Sequence, residues 1–379
     1  MKKILSILIL FTFYTASLGQ ENPNLVQKIT KKIFSSESDS SRAGSFFILP
    51  ALAYAQETGL EYGFASTYNF YMDKKDLASK TSNITLIGTL TSKSQKKINL
   101  NTDIWTKNND YHILLELRAR DWPFNFYGIG NDTWKNEEDY IDQRLYRIKA
   151  DIEKKVDKNL YIGINSSYDN YKFNDVESGG IYAKENFTGK LGGQYVTFGI
   201  STLYDSRNNT TYSTNGVYTR LKLAYAPNFF KSEDYTGLVS EIDIRGFKSL
   251  KNNLTLAIQG IYRGTYGKNT PFYAMRDLGG DMTMRGYYLG RYKDKNYLAS
   301  QAELRYRFHP RLGVMGFIGT GSTFSKQNDI RLVPSYGGGL RYFYSIEHSS
   351  SIRLDYAYGE KRTGEERQSG FYLSISEAF

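Results

Sequence analysis

Residues 301–308 read Gln301-Ala302-Glu303-Leu304-Arg305-Tyr306-Arg307-Phe308, with Gln301, Glu303, Arg305 and Arg307 on one face and Ala302, Leu304, Tyr306 and Phe308 on the other. A period of two marks a β-strand, whose successive side chains project to opposite faces. A face so polar needs water, and the opposite face needs to leave it. The same division recurs upstream and downstream. Tyr146, Ile148, Ala150 and Ile152 oppose Arg147, Lys149, Asp151 and Glu153, while Leu115 and Leu117 oppose Glu116 and Arg118. Near the end, Ile352, Leu354, Tyr356 and Tyr358 oppose Arg353 and Asp355. Segments of roughly ten residues repeat this pattern from Phe46 to the last residue.

Alternation alone does not separate a soluble sandwich, where apolar faces bury one another, from a membrane barrel, where they meet lipid. Three further features favour the barrel. The first is an export signal, with Lys2 and Lys3 as a basic start, Ile4 to Phe13 as an apolar core and Ala16 to Gly19 as a small-residue exit. The second is composition: 33 Tyr, 22 Phe and 34 Gly beside 7 Pro supply aromatic residues at strand ends, where interface girdles lie. The third is loop length. The turns at Lys107 to Asp110, Asp157 to Asn159, Leu250 to Asn253 and His309 to Arg311 are short, whereas Trp122 to Asp139, Phe173 to Leu191 and Thr265 to Asn296 are long. That asymmetry belongs to outer-membrane barrels, whose periplasmic turns are short and outer loops long.

The reading is therefore an all-β, transmembrane antiparallel barrel of about 16 strands, an even number that puts both termini on the periplasmic side. Residues 1–19 form the signal peptide and 20–45 a short, Ser-rich periplasmic leader with one amphipathic turn at Asn24 to Phe34. Residues 46–379 form the barrel. After the signal no run of about 18 apolar residues exists, so a membrane-crossing helix is excluded. The absence of Cys removes disulfides, thiolate metal sites and a lipid anchor on Cys. A formal charge of +10 comes without a basic run longer than three residues, so no nucleic-acid partner is expected. The expected surroundings are outer-membrane lipid, other outer-membrane proteins and assembly factors.

No catalytic signature stands out. Of the three His, His309 and His348 fall in periplasmic turns and only His112 faces the lumen, without a nucleophile and orienting partner in any recognisable spacing. Phosphate-loop and zinc motifs are absent. No metal or cofactor is expected. Gly279-Gly280 and Gly337 to Gly339 are read as positions of bend or close strand approach rather than phosphate cradles.

The longest connection contains Asp277 to Tyr292, DLGGDMTMRGYYLGRY, and the next strand supplies Glu303. With Gly279-Gly280, Arg285-Gly286-Tyr287, Glu303, Asp205-Ser206-Arg207-Asn208-Asn209 and the aromatic terminus Phe379, the chain resembles the barrel domain of the BamA/TamA outer-membrane assembly family, also called the bacterial surface antigen family. The resemblance spans Phe46 to Phe379. It implies that loop six folds into the lumen and that Arg285 pairs with an acid on the inner wall. Glu303 fits that role, because alternation independently places it on the lumen face. Family members often carry a second acid in the following strand. Here Gly313 to Thr323 has none, so either Glu303 acts alone or Asp355 assists. The terminal stripe Phe371, Leu373, Ile375 and Phe379 is interrupted by Glu377, and Gln20 to Ser45 is too short for a periplasmic substrate-binding module. The family mechanism implies a weak seam between Phe46 to Gln56 and Gly370 to Phe379. Pro50, having no N–H, cannot donate to that seam; alternatively, it only tunes twist. The functional expectation is assistance in inserting or translocating proteins or lipids at the outer membrane; the alternative is a passive or ligand-specific channel.

Overall fold

The computed structural model describes residues 41–55, 59–175, 179–230 and 234–379. The signal peptide and nearly all of the leader lie outside these residues. Among the described residues, sixteen long strands and three short ones follow one another. The first group is β1 (Ser45–Ala55), β2 (Gly59–Phe70), β3 (Ser82–Thr91), β4 (Lys96–Trp105), β5 (Tyr111–Asp121), the short β6 (Phe124–Phe126), β7 (Asp139–Asp157), β8 (Leu160–Asp175) and β9 (Gly192–Asp205). The second is β10 (Gly216–Ala226), β11 (Gly237–Lys251), β12 (Leu254–Tyr266), the short β13 (Arg276–Leu278) and β14 (Tyr292–Asp294), β15 (Asn296–His309), β16 (Leu312–Phe324), β17 (Val333–Ser345), β18 (Ser350–Tyr358) and β19 (Ser369–Ile375). Among the described residues, no helix is long and apolar enough to cross a membrane.

Each long strand pairs antiparallel with the next, from β1–β2 through β18–β19, while β13 and β14 form a separate hairpin inside the β12–β15 connection. This meander needs only short turns at one end, and the tight connections are the ones the sequence marks. Asp157 pairs with Leu160, and His309 with Leu312. At the turn end the sheet curls back toward its own start. Phe47 of β1 stacks on Tyr344 of β17 at a ring separation of 4.4 Å, and His348 Nε2 lies 3.1 Å from the carbonyl oxygen of Ala43.

The two faces divide as alternation dictates. Outward residues such as Ile164, Ile200, Ile318 and Leu340 are more than half exposed, the arrangement of a wall whose solvent is lipid. Inward residues are polar yet buried: Glu303, Arg305, Arg353 and Asp355 are at most 1% exposed. At the long-loop end an aromatic cluster of Phe126, Tyr182 and Phe272, with Tyr171 and Phe173 from β8, joins three connections into one cap. Two turn-end connections are longer than the rest. Segment 206–215 bends beneath the wall, where Thr210 Oγ1 donates to Thr81 O at 3.1 Å, Thr211 donates to His348 O, and the Tyr212 ring meets Phe343 edge-on at 5.0 Å. Its contacts thus run from the β9–β10 turn to the β2–β3 and β17–β18 connections.

Candidate functional site: the loop-six lock

The β12–β15 connection turns inward because its backbone must pass where a side chain has no room. Gly286 has φ +101°, and a Cβ there would lie 2.6 Å from the backbone of Tyr358, so the residue beside Arg285 has to be glycine. The loop is then anchored along its length. The Gly286 amide donates to the Tyr372 hydroxyl at 2.8 Å, the Tyr287 hydroxyl donates to Pro334 O at 2.7 Å, and the same hydroxyl accepts from the Glu360 amide at 2.7 Å. Tyr287, Tyr292 and Leu278 pack with Ile261, Tyr297 and Ala299 of the wall.

This folding delivers Arg285, fully buried, to two carboxylates on different strands. Its Nη1 donates to Asp355 Oδ2 of β18 at 2.7 Å, and its Nη2 donates to Glu303 Oε1 of β15 and to Gln301 Oε1 at 3.2 Å. The guanidinium also lies 3.7 Å from the centre of the Phe317 ring. A planar fork with charge-assisted bonds on both prongs fixes orientation as well as position. The expected Arg285–Glu303 pair is present, and of the two arrangements left open by the sequence, Asp355 assists. Gly339 makes room for it: a Cβ on Gly339 would fall 2.0 Å from Asp355 Oδ1.

The lock extends beyond Arg285, Glu303 and Asp355. Arg305 donates to Glu303 at 2.8 Å and Arg341 to Asp355 at 2.5 Å. Arg353 reaches Asp355 at 3.1 Å and Asp281 of loop six at 2.7 Å. Glu377 accepts from Arg341 at 2.7 Å and from Ser351 Oγ at 2.7 Å. Four arginines and four carboxylates thus join loop six, β15, β17, β18 and the C-terminal residues. The only signal in the sequence is inward parity, which Arg305, Arg341 and Arg353 share with many other polar residues of the strands.

The C-terminal residues differ from expectation. The apolar stripe predicts one wall strand to Phe379, interrupted by Glu377, but β19 ends at Ile375. Ser376 takes φ +76° and the chain leaves the wall. Phe379 is buried in the lumen against Phe247 and Ala257, and its carbonyl oxygen accepts from Arg305 at 3.0 Å. Glu377 is therefore no break in a lipid-facing stripe but a lumen ligand for Arg341. The physical reason is that a buried carboxylate follows its cationic partners. Pro50 lies within β1, opposite Phe64 of β2.

Other singled-out residues are wall components. His112 Nδ1 lies 2.7 Å from Glu153 and Nε2 3.1 Å from Asp103, with the ring stacked on Trp105 at 4.0 Å. Carboxylates face both ring nitrogens. Asp205 receives two bonds from Arg207, at 2.9 and 3.0 Å, and an ion pair from Lys80 at 2.7 Å, so the 205–209 motif anchors the start of the 206–215 segment. Outside the strands, burial lowers the affinity of the Lys80 ammonium for its proton, against the pull of Asp205.

The Omp85 superfamily domain matches residues 55–379, from the end of β1 to the last residue. The chain belongs to the Omp85 superfamily. Members of that family form outer-membrane barrels and work with outer-membrane proteins and lipids. Among solved structures, this Omp85 chain is similar in fold to BamA from Haemophilus ducreyi lacking POTRA domains 1–3, with TM-score 0.56 and 14% identity over 88% of this chain and 70% of that one. It is also similar to CdiB from Acinetobacter baumannii, with TM-score 0.51 and 11% identity over 89% of this chain and 66% of that one. Among curated proteins, none matches this Omp85 chain.

Proposed function

We propose that this Omp85 barrel assists insertion or translocation of proteins or lipids at the outer membrane, using the edge between its first and last strands. The observation that carries the reading is the inequality of those strands. β1 is eleven residues long and pairs with β2 along its whole length, whereas β19 offers seven residues before the chain turns into the lumen. Pro50 removes one further donor from β1. A strand edge with spare N–H and C=O groups is a template for an incoming strand, and in lipid each unmet group costs several kcal/mol, so the edge has a strong tendency to acquire a partner.

The test is depletion followed by outer-membrane proteomics: the reading expects a fall in other barrels, and an unchanged inventory overturns it. Cys pairs scanned between 46–49 and 370–373 add a second arm, because a locked edge should reproduce the depletion defect and reduction should relieve it. The channel alternative is disfavoured by loop six lying in the lumen and by segment 206–215 bending beneath the wall at the turn end. Planar-bilayer recording is expected to give no stable open conductance. Catalysis plays no part in this reading, and His112→Ala is expected to leave the depletion phenotype fully complemented.

A further inference from the structure

A cavity of about 560 Å³ lies beneath loop six, between its residues 274–277 and the inner faces of β4, β5, β7, β10, β11 and β12. Its wall presents seven cationic side chains and four carboxylates. The acids are stretched thin. Glu116 alone serves Arg118 at 2.9 Å, Lys149 at 3.8 Å and Arg147 at 3.9 Å, although Arg147 also has Asp169 behind it. Asp151 is divided between Lys222 at 2.7 Å and Arg220 at 3.2 Å, the latter also held by Glu153. Glu241 pairs with Arg263 at 3.2 Å, and Asp277 of loop six is taken by Lys293 at 2.5 Å. Arg276, beside it, has no carboxylate partner among the described residues: one Nη donates to Gly264 O at 3.1 Å, and its Nε is buried without a hydrogen-bond partner.

Buried charge is tolerated when it is neutralised, and a wall in which one carboxylate answers two or three cations leaves positive potential focused on the space it encloses. The volume is that of a small-ligand site. Guanidinium forks favour planar or tetrahedral oxyanions over a simple halide, because two parallel N–H groups match two oxygens. We propose that this cavity is an anion site for a phosphate-bearing group, held from above by Arg276 and from the wall by Lys149, Lys222 and Arg263. Inorganic phosphate and the phosphodiester headgroup of an anionic lipid share that chemistry. The site is independent of the assembly reading, since a barrel with no assembly activity would bind the same group. Because Arg276 belongs to loop six and the other three to the wall, occupancy also ties the loop to the strands.

The experiment is calorimetric titration of the full barrel in a neutral maltoside detergent. Inorganic phosphate and glycerol 1-phosphate serve as probes, with chloride matched for ionic strength. Thermal loss of the compact gel form is followed in parallel. Binding of either probe, weakened at least tenfold in Arg276→Gln and in Lys222→Gln but unchanged in the outward-facing Arg144→Gln, supports the site. Tighter binding of glycerol 1-phosphate assigns a lipid headgroup, and equal or tighter binding of phosphate assigns the free anion. No binding of either probe by the folded wild-type barrel overturns the proposal. So does binding that is equal in wild type and all three variants. The gel mobility of Arg276→Gln shows whether the variant is folded, and Lys222→Gln provides the second reading if it is not.

Discussion

The inner faces of β15–β18 and of β2–β4 solve the same problem with different chemistry. In the first, Arg285, Arg305, Arg341 and Arg353 are bound to Glu303, Asp355, Glu377 and Asp281, and every one of these arginines is at most 3% exposed. In the second, between the Lys97–Glu61 pair and Asp103, the lumen side is built of neutral groups. Asn83 donates to Thr67 and to Asn69, each at 2.7 Å, and Thr85 donates to Asn83 at 2.8 Å. Charged lattices are strong when complete and costly when one member is lost, whereas neutral bonds lose little on either account. The side that carries loop six and the chain end is therefore rigid and unforgiving. The side that carries the first strands is more readily rearranged, which suits the strand-edge role proposed above.

The strongest way to break this contrast is Arg285→Ala, which strands Glu303 and Asp355 in a buried setting and is expected to cost about 3–5 kcal/mol in denaturant unfolding from lipid vesicles. A loss no larger than that of a surface pair, about 0–1 kcal/mol, would mean that water reaches the lock. Gly339→Ala comes next. Its Cβ would displace Asp355 from Arg341, and overpacking of this kind costs about 1–3 kcal/mol in the same assay. A similar or smaller effect, about 1–3 kcal/mol, is expected for Glu377→Gln, which keeps the shape but weakens two charge-assisted bonds; protease sensitivity of the last residues should rise with it. On the neutral side, Asn83→Ala is expected to cost only about 0.5–1.5 kcal/mol. Hydrogen exchange sharpens the comparison without mutation: amides of β2–β4 should open faster than those of β15–β18. Equal protection on the two sides would remove the distinction drawn above.

Much of the wall was legible because its information is local. Alternation at Gln301 to Phe308 placed Glu303 and Arg305 inside and Leu304 and Tyr306 outside from neighbouring residues alone, and the four short turns were marked by where that alternation stops. Arg285 and Glu303 were also legible, because the pairing implied by the family resemblance of the loop and the parity of the strand converge on one pair. The wider lock was not. Asp281 and Arg353, or Arg341 and Glu377, are separated by 72 and 36 residues, and nothing in either segment names the other. The departure of the last residues from the wall was equally hidden, since Phe371, Leu373 and Ile375 promise a strand that simply continues.

By itself, then, the sequence determined a self-pairing antiparallel wall, oily outside and polar within, with one long connection carrying a buried arginine. Side-chain direction in a strand depends only on position along it, so one dimension was enough. Only the tertiary structure decided which inward charges meet, that Asp355 rather than Glu303 alone receives Arg285, and that Glu377 and Phe379 leave the lipid face for the lumen. Those choices depend on curvature and strand register, which bring distant segments within a hydrogen bond of each other and which no local pattern encodes.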